Sequence, residues 1–362
     1  MKDLVFISNN IPLPEELNGN TVNILNIVRQ LKCRGYHITF YLLSNAKNIQ
    51  YFNEFQHEVD ELICIPTFPK YLFFLNYLRK RITIDSPAFF CNFNSGFSYY
   101  LVKSPKMILY AADSIAFQYS KQVGFIAILR YYKLLLEESF LYRVFHKVIF
   151  VSPNDLMFSK LQNKNGLYIP IGYSEAKKKV QKVKSYDIIF SGNFNYYPNQ
   201  DAFNYFKNDM FPSLVKGKKD IKICFVGRSP STDMIEFAKV YPNNIFVTGE
   251  VEDVMDYLCQ SRLYFSPLRL GSGMKNKILQ AMISKLPIVC TSESITGVLE
   301  FNNNAVFVND NASDFCNQIL DLLRMKETDL STLGSINYNT YKDNYTWSSI
   351  ITKYYEPIFN SL

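Results

Sequence analysis

Short apolar runs alternate with longer stretches of helical spacing along the whole chain. Leu4–Ser8, Ile38–Leu43, Leu62–Ile65, Met107–Tyr110 and Val148–Val151 read as strands, with helices over Thr21–Leu31 and near Phe125–Phe145. The rhythm resumes with Asp187–Ser191, Ile221–Val226, Ile245–Val247, Leu263–Ser266, Ile288–Cys290 and Val306–Val308, again separated by helix-length intervals. Strands alternating with helices predict parallel sheets covered on both faces, an α/β fold. The pattern breaks once. The stretch Glu175–Lys184 is strongly basic and lacks apolar spacing, so it reads as a solvated linker over 173–186. At 362 residues the chain exceeds the roughly 250–300 residues beyond which one core stops growing. Two domains are therefore expected, 1–172 and 187–340.

Composition adds two features. Aromatics reach 16%, with 26 Tyr and 30 Phe against 1 Trp, and the formal net charge is +7. That mild excess suits an anionic ligand or an anionic membrane surface better than nucleic acid. The aromatic-basic stretches Phe68–Ile82, Leu129–Lys133 and Leu141–Lys147 have the character of helices that sit on an anionic bilayer, or of core-facing helices with solvated cations. No window of about 18 residues is free of charge, so none is expected to span a bilayer. Met1–Ser8 lacks the apolar core and cleavage site of a signal peptide. The expectation is a cytoplasmic protein, at most lying on the inner face of the cytoplasmic membrane. Seven widely spaced cysteines, without CxxC or zinc spacing, read as buried, reduced thiols. His37, His57 and His146 show no pairing, and no metal site is expected.

Chemistry concentrates at glycines on the carboxyl ends of strands, the side of an open parallel sheet on which ligands bind. Leu263–Ser266 runs through Pro267 into Gly271-Ser272-Gly273 and then a helix beginning near Met274. Glycines permit close backbone approach, and the free N–H groups of a helix start make an anion site. Lys275 and Lys277 fall in that helix's first turn, where the macrodipole disfavours cations unless an anion neutralises them. Two residues apart on a helix means about 200° of rotation, so one lysine faces the ligand, and Lys277 is the choice. Gly192-Asn193, Gly227-Arg228 and Gly249-Glu250-Val251 follow other strands in the same half, which argues for one nucleotide-sized crevice. Arg228 has two readings, a phosphate contact or a surface ion pair.

These segments resemble glycosyltransferase family 4, retaining nucleotide-sugar enzymes of the GT-B fold with two Rossmann-like domains facing across a cleft. The likeness rests on Phe190–Ala202, Val247–Leu258, Pro267–Met282 and Pro287–Thr291, and more loosely on Gly19-Asn20, Val148–Asp155 and Ile169–Gly172. It is closest to the bacterial surface-polysaccharide branch whose motif reads GSG-x-x-x-K. Tyr345–Trp347 and the helical stretch after it are similar to the terminal segment that packs back on the first domain, giving an expected C-terminal helix over 341–362.

The resemblance implies that Lys277, with Lys275, holds the donor diphosphate against Gly271–Gly273. It implies that Gly249–Val251 lies along the base and that Gly19 and Asn20 approach the phosphates or the sugar from the first domain. Asp113 matches the position beside the reacting sugar and acceptor; a helix N-cap is its other reading. The donor it implies is a UDP-, GDP- or dTDP-sugar, with no further cofactor and no metal expected. The acceptor it implies is a glycan or a polyprenyl-linked saccharide bound by the first domain, in O-antigen, capsule or exopolysaccharide synthesis. Three positions depart from the family pattern. Gln280 stands where an acidic residue holds the ribose, Asn193 where an arginine is common, and Ala112 precedes Asp113 with no obvious catalytic histidine nearby. A nucleotide-binding scaffold subunit and a sugar-nucleotide epimerase are the alternative readings.

Overall fold

The computed structural model describes residues 2–12, 19–44, 52–66, 82–120, 124–159, 164–174, 183–271 and 276–360. Ser272, Gly273 and Lys275, most of the linker, and the aromatic-basic stretch 68–82 except its last residue lie outside the described residues. The chain divides into two compact units: residues 1–172 with 347–362, and residues 173–346.

The first unit is built on a sheet of β1 (Lys2–Ser8), β2 (Tyr36–Ser44), β3 (Glu61–Pro66), β5 (Ala88–Phe90), β7 (Met107–Ala112), β8 (Lys147–Phe150) and β9 (Gly166–Tyr168). A separate ribbon pairs β4 (Ile82–Thr83) with β6 (Val102–Lys103). The main sheet runs in the order β3-β2-β1-β5-β7-β8-β9, with every pairing parallel. β5 and β9 are not anticipated by the apolar pattern. Each is three residues long, too short to establish a period of its own.

The second unit carries β10 (Tyr186–Ser191), β11 (Ile223–Val226), β12 (Ile245–Val247), β13 (Ser261–Ser266), β14 (Ile288–Cys290) and β15 (Val306–Val308). Their order is β12-β11-β10-β13-β14-β15, all parallel. Numbered from β10, this is the doubly wound order 3-2-1-4-5-6. Ile188, Ile189, Phe190 and the four residues of β11 are all buried, as a strand covered on both faces requires. Phe190, Phe203, Phe206, Phe225 and Phe265 stack edge-on and tilted in one aromatic core.

The ends of the units are set by close packing. Unit two continues through the helix Glu327–Asn344 to Thr346, five residues beyond the 341 at which the sequence places the returning segment. Within unit one, a Cβ on Gly172 would lie 2.5 Å from the Trp347 ring, so the two chain crossings touch. Ile350, Ile351, Tyr355 and Phe359 follow Trp347 into that core. In unit two the helix Glu327–Asn344 presses on the turn before β14: a Cβ on Gly334 would lie 1.9 Å from the Lys285 carbonyl oxygen. Buried Asn337, one turn on, donates its side-chain amide to the carbonyls of Leu286 (2.8 Å) and Ala305 (3.0 Å). All seven cysteines are free, but the expectation that they are buried holds only in part. Cys33 and Cys64 are exposed because they end a helix and lie on an outer strand; Cys91, Cys224, Cys290 and Cys316 are buried.

Gly334→Ala places a methyl group against backbone that cannot move independently of β14. It is expected to cost about 1–3 kcal/mol, the usual cost of overpacking. A melting temperature unchanged from wild type would contradict this packing.

Candidate functional site

In a doubly wound sheet the helices diverge where the strand order reverses, leaving a crevice at the carboxyl ends. In unit two this point lies between β10 and β13. A pocket of about 300 Å³ opens there, lined by Ser191, Gly192, Asn193, Gly227, Arg228, Glu250, Val251, Val254, Lys277 and Gln280. The glycine-ended strands singled out from the sequence therefore meet the lysine at one site. Its floor is backbone. Gly227 has φ +138°, and a Cβ there would lie 1.9 Å from the Gly192 carbonyl oxygen. The Gly227 N–H donates to the carbonyl of Gly249, itself at φ +71°, at 3.2 Å. Three neighbouring strand ends are thus drawn together by glycines.

Lys277 sits in the first turn of the helix Asn276–Ile283. Its Nζ donates to Asn199 Oδ1 at 2.7 Å and lies 4.5 Å from the centre of the Phe190 ring. Asn199 in turn donates its Nδ2 to the Asn193 carbonyl at 2.8 Å, tying the lysine to the loop after β10. Sequence reasoning misses Asn199; its place one residue after Pro198, at a helix start, is the local signal that could have found it. Asn193, standing where an arginine is common, accepts from the Asn195 N–H at 3.1 Å and shapes this turn. Arg228 is exposed at the pocket rim.

Gln280 donates to the Tyr173 hydroxyl at 2.8 Å. Tyr173 is itself fixed, its carbonyl accepting from the Tyr341 hydroxyl at 2.8 Å and its N–H donating to the Tyr345 carbonyl at 2.8 Å. Gln280 is therefore an amide of fixed orientation at the pocket wall. Gly271, at φ +150°, opens the glycine turn without lining the pocket. The segment leading to it is anchored. Asp201 binds Arg269 through two hydrogen bonds, of 2.6 and 3.1 Å, and Ser294 donates to the Ser266 carbonyl at 2.7 Å.

Unit one has its own reversal point, between β1 and β5. A cavity of about 320 Å³ lies there, lined by Ser8, Asn9, Asn10, Asn92, Asn94, Asp113 and Gln118 among others. Gly19 and Asn20 begin the helix Gly19–Cys33, whose Thr21 and Ile24 reach this cavity. Asp113 is aimed by two backbone irregularities. The pairing of β7 with β8 slips between Tyr110 and Ala112, and Ala112 adopts φ +62°, a left-handed conformation costly for any residue but glycine.

The turn is held from behind. Ser114 donates its N–H to Asp155 Oδ1 at 2.7 Å and its hydroxyl to buried Glu138 at 2.7 Å, and Glu138 also accepts from the Ala116 N–H at 2.9 Å. Ser114, not Asp113, caps the following helix, accepting from the Phe117 N–H at 3.1 Å. The N-cap reading of Asp113 is thereby corrected: its neighbour takes that role and leaves its carboxyl in the cavity. Burial, reinforced by the charge of Asp155, raises the Asp113 carboxyl from 3.8 to about 6. Burial likewise raises Glu138, opposed by its hydrogen bonds. Glu138 and Asp155 are not legible as supports in the sequence, because their partners are remote along the chain. Among the described residues no group of three or more His, Cys, Asp or Glu side chains is placed to hold a metal ion.

The fold is that of the GT-B glycosyltransferases. A TarM variant from S. aureus in complex with Fondaparinux, alpha-GlcNAc-glycerol and UDP aligns over 99% of this chain and 100% of its own, at TM-score 0.60 and 12% identity. HepE from Anabaena in complex with UDP aligns over 100% of both chains, at TM-score 0.65 and 12% identity. WaaG, a glycosyltransferase involved in lipopolysaccharide biosynthesis, aligns over 99% of both, at TM-score 0.57 and 14% identity. At such identities the likeness establishes the fold alone. Residues 185–325 match the family model described as glycosyl transferases group 1, so the second unit carries a domain of that kind. No curated protein matches the sequence.

The raised Asp113 carboxyl has a direct consequence for stability. Below about pH 4 it is protonated in the folded and the unfolded chain alike. Between about 4 and 6 the unfolded chain releases a proton that the folded chain keeps, so stability falls as pH rises through this window. Asp113→Asn should therefore melt higher than wild type at about pH 7.5, with the gain shrinking on acidification and gone below about pH 4. A difference independent of pH would show that Asp113 titrates normally.

Proposed function

We propose that this protein is a retaining glycosyltransferase that moves a sugar from a nucleoside diphosphate to a saccharide acceptor. The observation that carries the reading is Lys277, held over a glycine floor at the switch point of a sheet whose residues match the glycosyl transferases group 1 model. A cation, free N–H groups at strand and helix ends, and glycines that admit close approach are what a leaving diphosphate requires. Val251 and Val254 supply apolar surface for the base, Gln280 an amide for the ribose diol, and Arg228 a second cation at the rim. Gly271, Ser272, Gly273 and Lys275 complete the phosphate cradle in this reading.

The first unit, residues 1–172 with the returning segment, binds the acceptor; its amide-lined cavity has the chemistry of polyol recognition. In the front-face route the departing phosphate oxygen takes the acceptor proton, so rate rests on stabilising that oxygen rather than on a strong base. In this reading Asp113, which lines the cavity of the first unit, orients the acceptor hydroxyl through its raised carboxyl. The reaction needs no metal on this route, because Lys277 and the helix start neutralise the diphosphate. UDP is the first donor base to test, since HepE and TarM are structures with UDP. A polyprenyl-linked acceptor of surface-polysaccharide synthesis fits a cytoplasmic enzyme working at the inner membrane face.

A thermal-shift panel of UDP, GDP, dTDP and CMP on wild type and Lys277→Ala tests the site. Selective stabilisation by one nucleotide, lost in the variant, is the expected result. With the matching sugar donor, Lys277→Ala should lower transfer by about 10²–10³, the effect of removing one preorganised charge stabiliser. Transfer at near wild-type rate in Lys277→Ala would refute the assignment. Nucleotide binding with no turnover on any acceptor would favour a scaffold subunit.

A further inference from the structure

The helix Phe125–Tyr142 has an inner face and an outer face of unexpected character. Glu138, Leu141 and Tyr142 are buried against the unit. On the other side Phe125, Ile126, Ile128, Leu129, Tyr132, Leu136 and Phe140 are all exposed, Phe125 at 75% and Leu136 at 72%. At 100° per residue, Phe125, Leu129, Tyr132, Leu136 and Phe140 fall within about 80° of one another, so they form a single stripe about 22 Å long. Isolated apolar residues are ordinary at a protein surface, but a contiguous apolar stripe marks a surface that meets something.

The charges beside it identify the occupant. Lys133 and Arg143 are exposed on or next to the stripe, and Arg130 is exposed further round the same flank of the helix. The one acidic residue on that side, Glu137, is 3.6 Å from Lys133 and paired with it. Arg130 lies over the Tyr119 ring at 6.0 Å, which holds its guanidinium on that flank. A second copy of this chain docked on this face would bring cations towards cations. An apolar stripe rimmed by positive charge matches a bilayer with anionic headgroups: the side chains enter the acyl boundary while the cations meet phosphates. The helix does not cross, since no helix among the described residues is long and apolar enough to do so.

We propose that the outer face of Phe125–Tyr142 docks the first unit on an anionic phospholipid surface. The site is distinct from both crevices, so the proposal stands or falls independently of glycosyl transfer.

Co-sedimentation of the full-length protein with phosphatidylcholine vesicles, with and without phosphatidylglycerol, tests it. Wild type is expected to pellet with the phosphatidylglycerol vesicles and to be released by salt. Leu129→Ser/Leu136→Ser should abolish pelleting. Lys133→Glu/Arg143→Glu should weaken it by about tenfold or more, since each cation at an anionic surface contributes severalfold to partitioning. These are exposed positions, and unchanged melting curves of the variants establish that folding is not the cause. Binding of the variants at wild-type strength, or no binding by wild type, overturns the proposal. So does a wild-type dimer in sedimentation that Leu129→Ser/Leu136→Ser converts to monomer, because the occupant is then a second copy.

Discussion

The second unit depends on how closely its strand ends approach one another. Where Gly227 meets the Gly192 carbonyl there is no room even for a methyl group, and the N–H of Gly227 reaches on to the Gly249 carbonyl. A side chain at Gly227 would force β10 and β11 apart at the floor of the crevice, and one at Gly249 would be held in a strained left-handed conformation. Their absence leaves polar backbone facing the space into which Lys277 projects. Aromatic packing beneath, with Phe190 both in the core and under the lysine, sets the height of that charge above the sheet. Core packing and site geometry are therefore one arrangement.

Both units obey the same rule of parallel sheets, a crevice at the reversal of strand order, and fill it with opposite chemistry. In the second unit the crevice holds cations and glycines, suited to an anion. In the first it holds amides and a carboxylate raised by burial, suited to hydroxyl groups. The first also stores strain. Ala112 is kept left-handed next to a bulge, and Glu138 and Asp155 grip Ser114 from two other helices so that the turn cannot relax. Strain of about 1–3 kcal/mol persists only where the surroundings over-determine it, and here it fixes the direction of Asp113.

The strands of the second unit are legible almost residue by residue, because a strand buried on both faces is written as an unbroken apolar run. The glycines after them are legible for a related reason: positive φ and close approach admit few other residues. Lys277 is singled out because a cation in a first helical turn runs against the macrodipole. Asp113 emerges only through resemblance, since an aspartate before a helix is usually a cap. Ser114 beside it is just as good a cap, and only the fold shows which residue serves. The exposed thiol of Cys64 is misjudged for the same kind of reason, as a strand's apolar composition does not say whether it lies at the edge of its sheet, and that of Cys33 because the last residue of a helix need not face the core.

What the sequence by itself determines is therefore local and periodic: the α/β alternation, two units, glycine-ended strands, and a lysine poised at a helix start. What only the tertiary structure decides is which distant groups share a site. The supports of the two crevices act across 24 residues from Ser114 to Glu138 and 41 from Ser114 to Asp155. They span 78 from Lys277 to Asn199 and 107 from Gln280 to Tyr173. No spacing rule reaches that far, because the strand order that closes those distances is set by the packing of whole layers. The outward apolar face of Phe125–Tyr142 belongs to the same class. Its residues have helical spacing on both sides, and only burial of Glu138 shows which side faces the core.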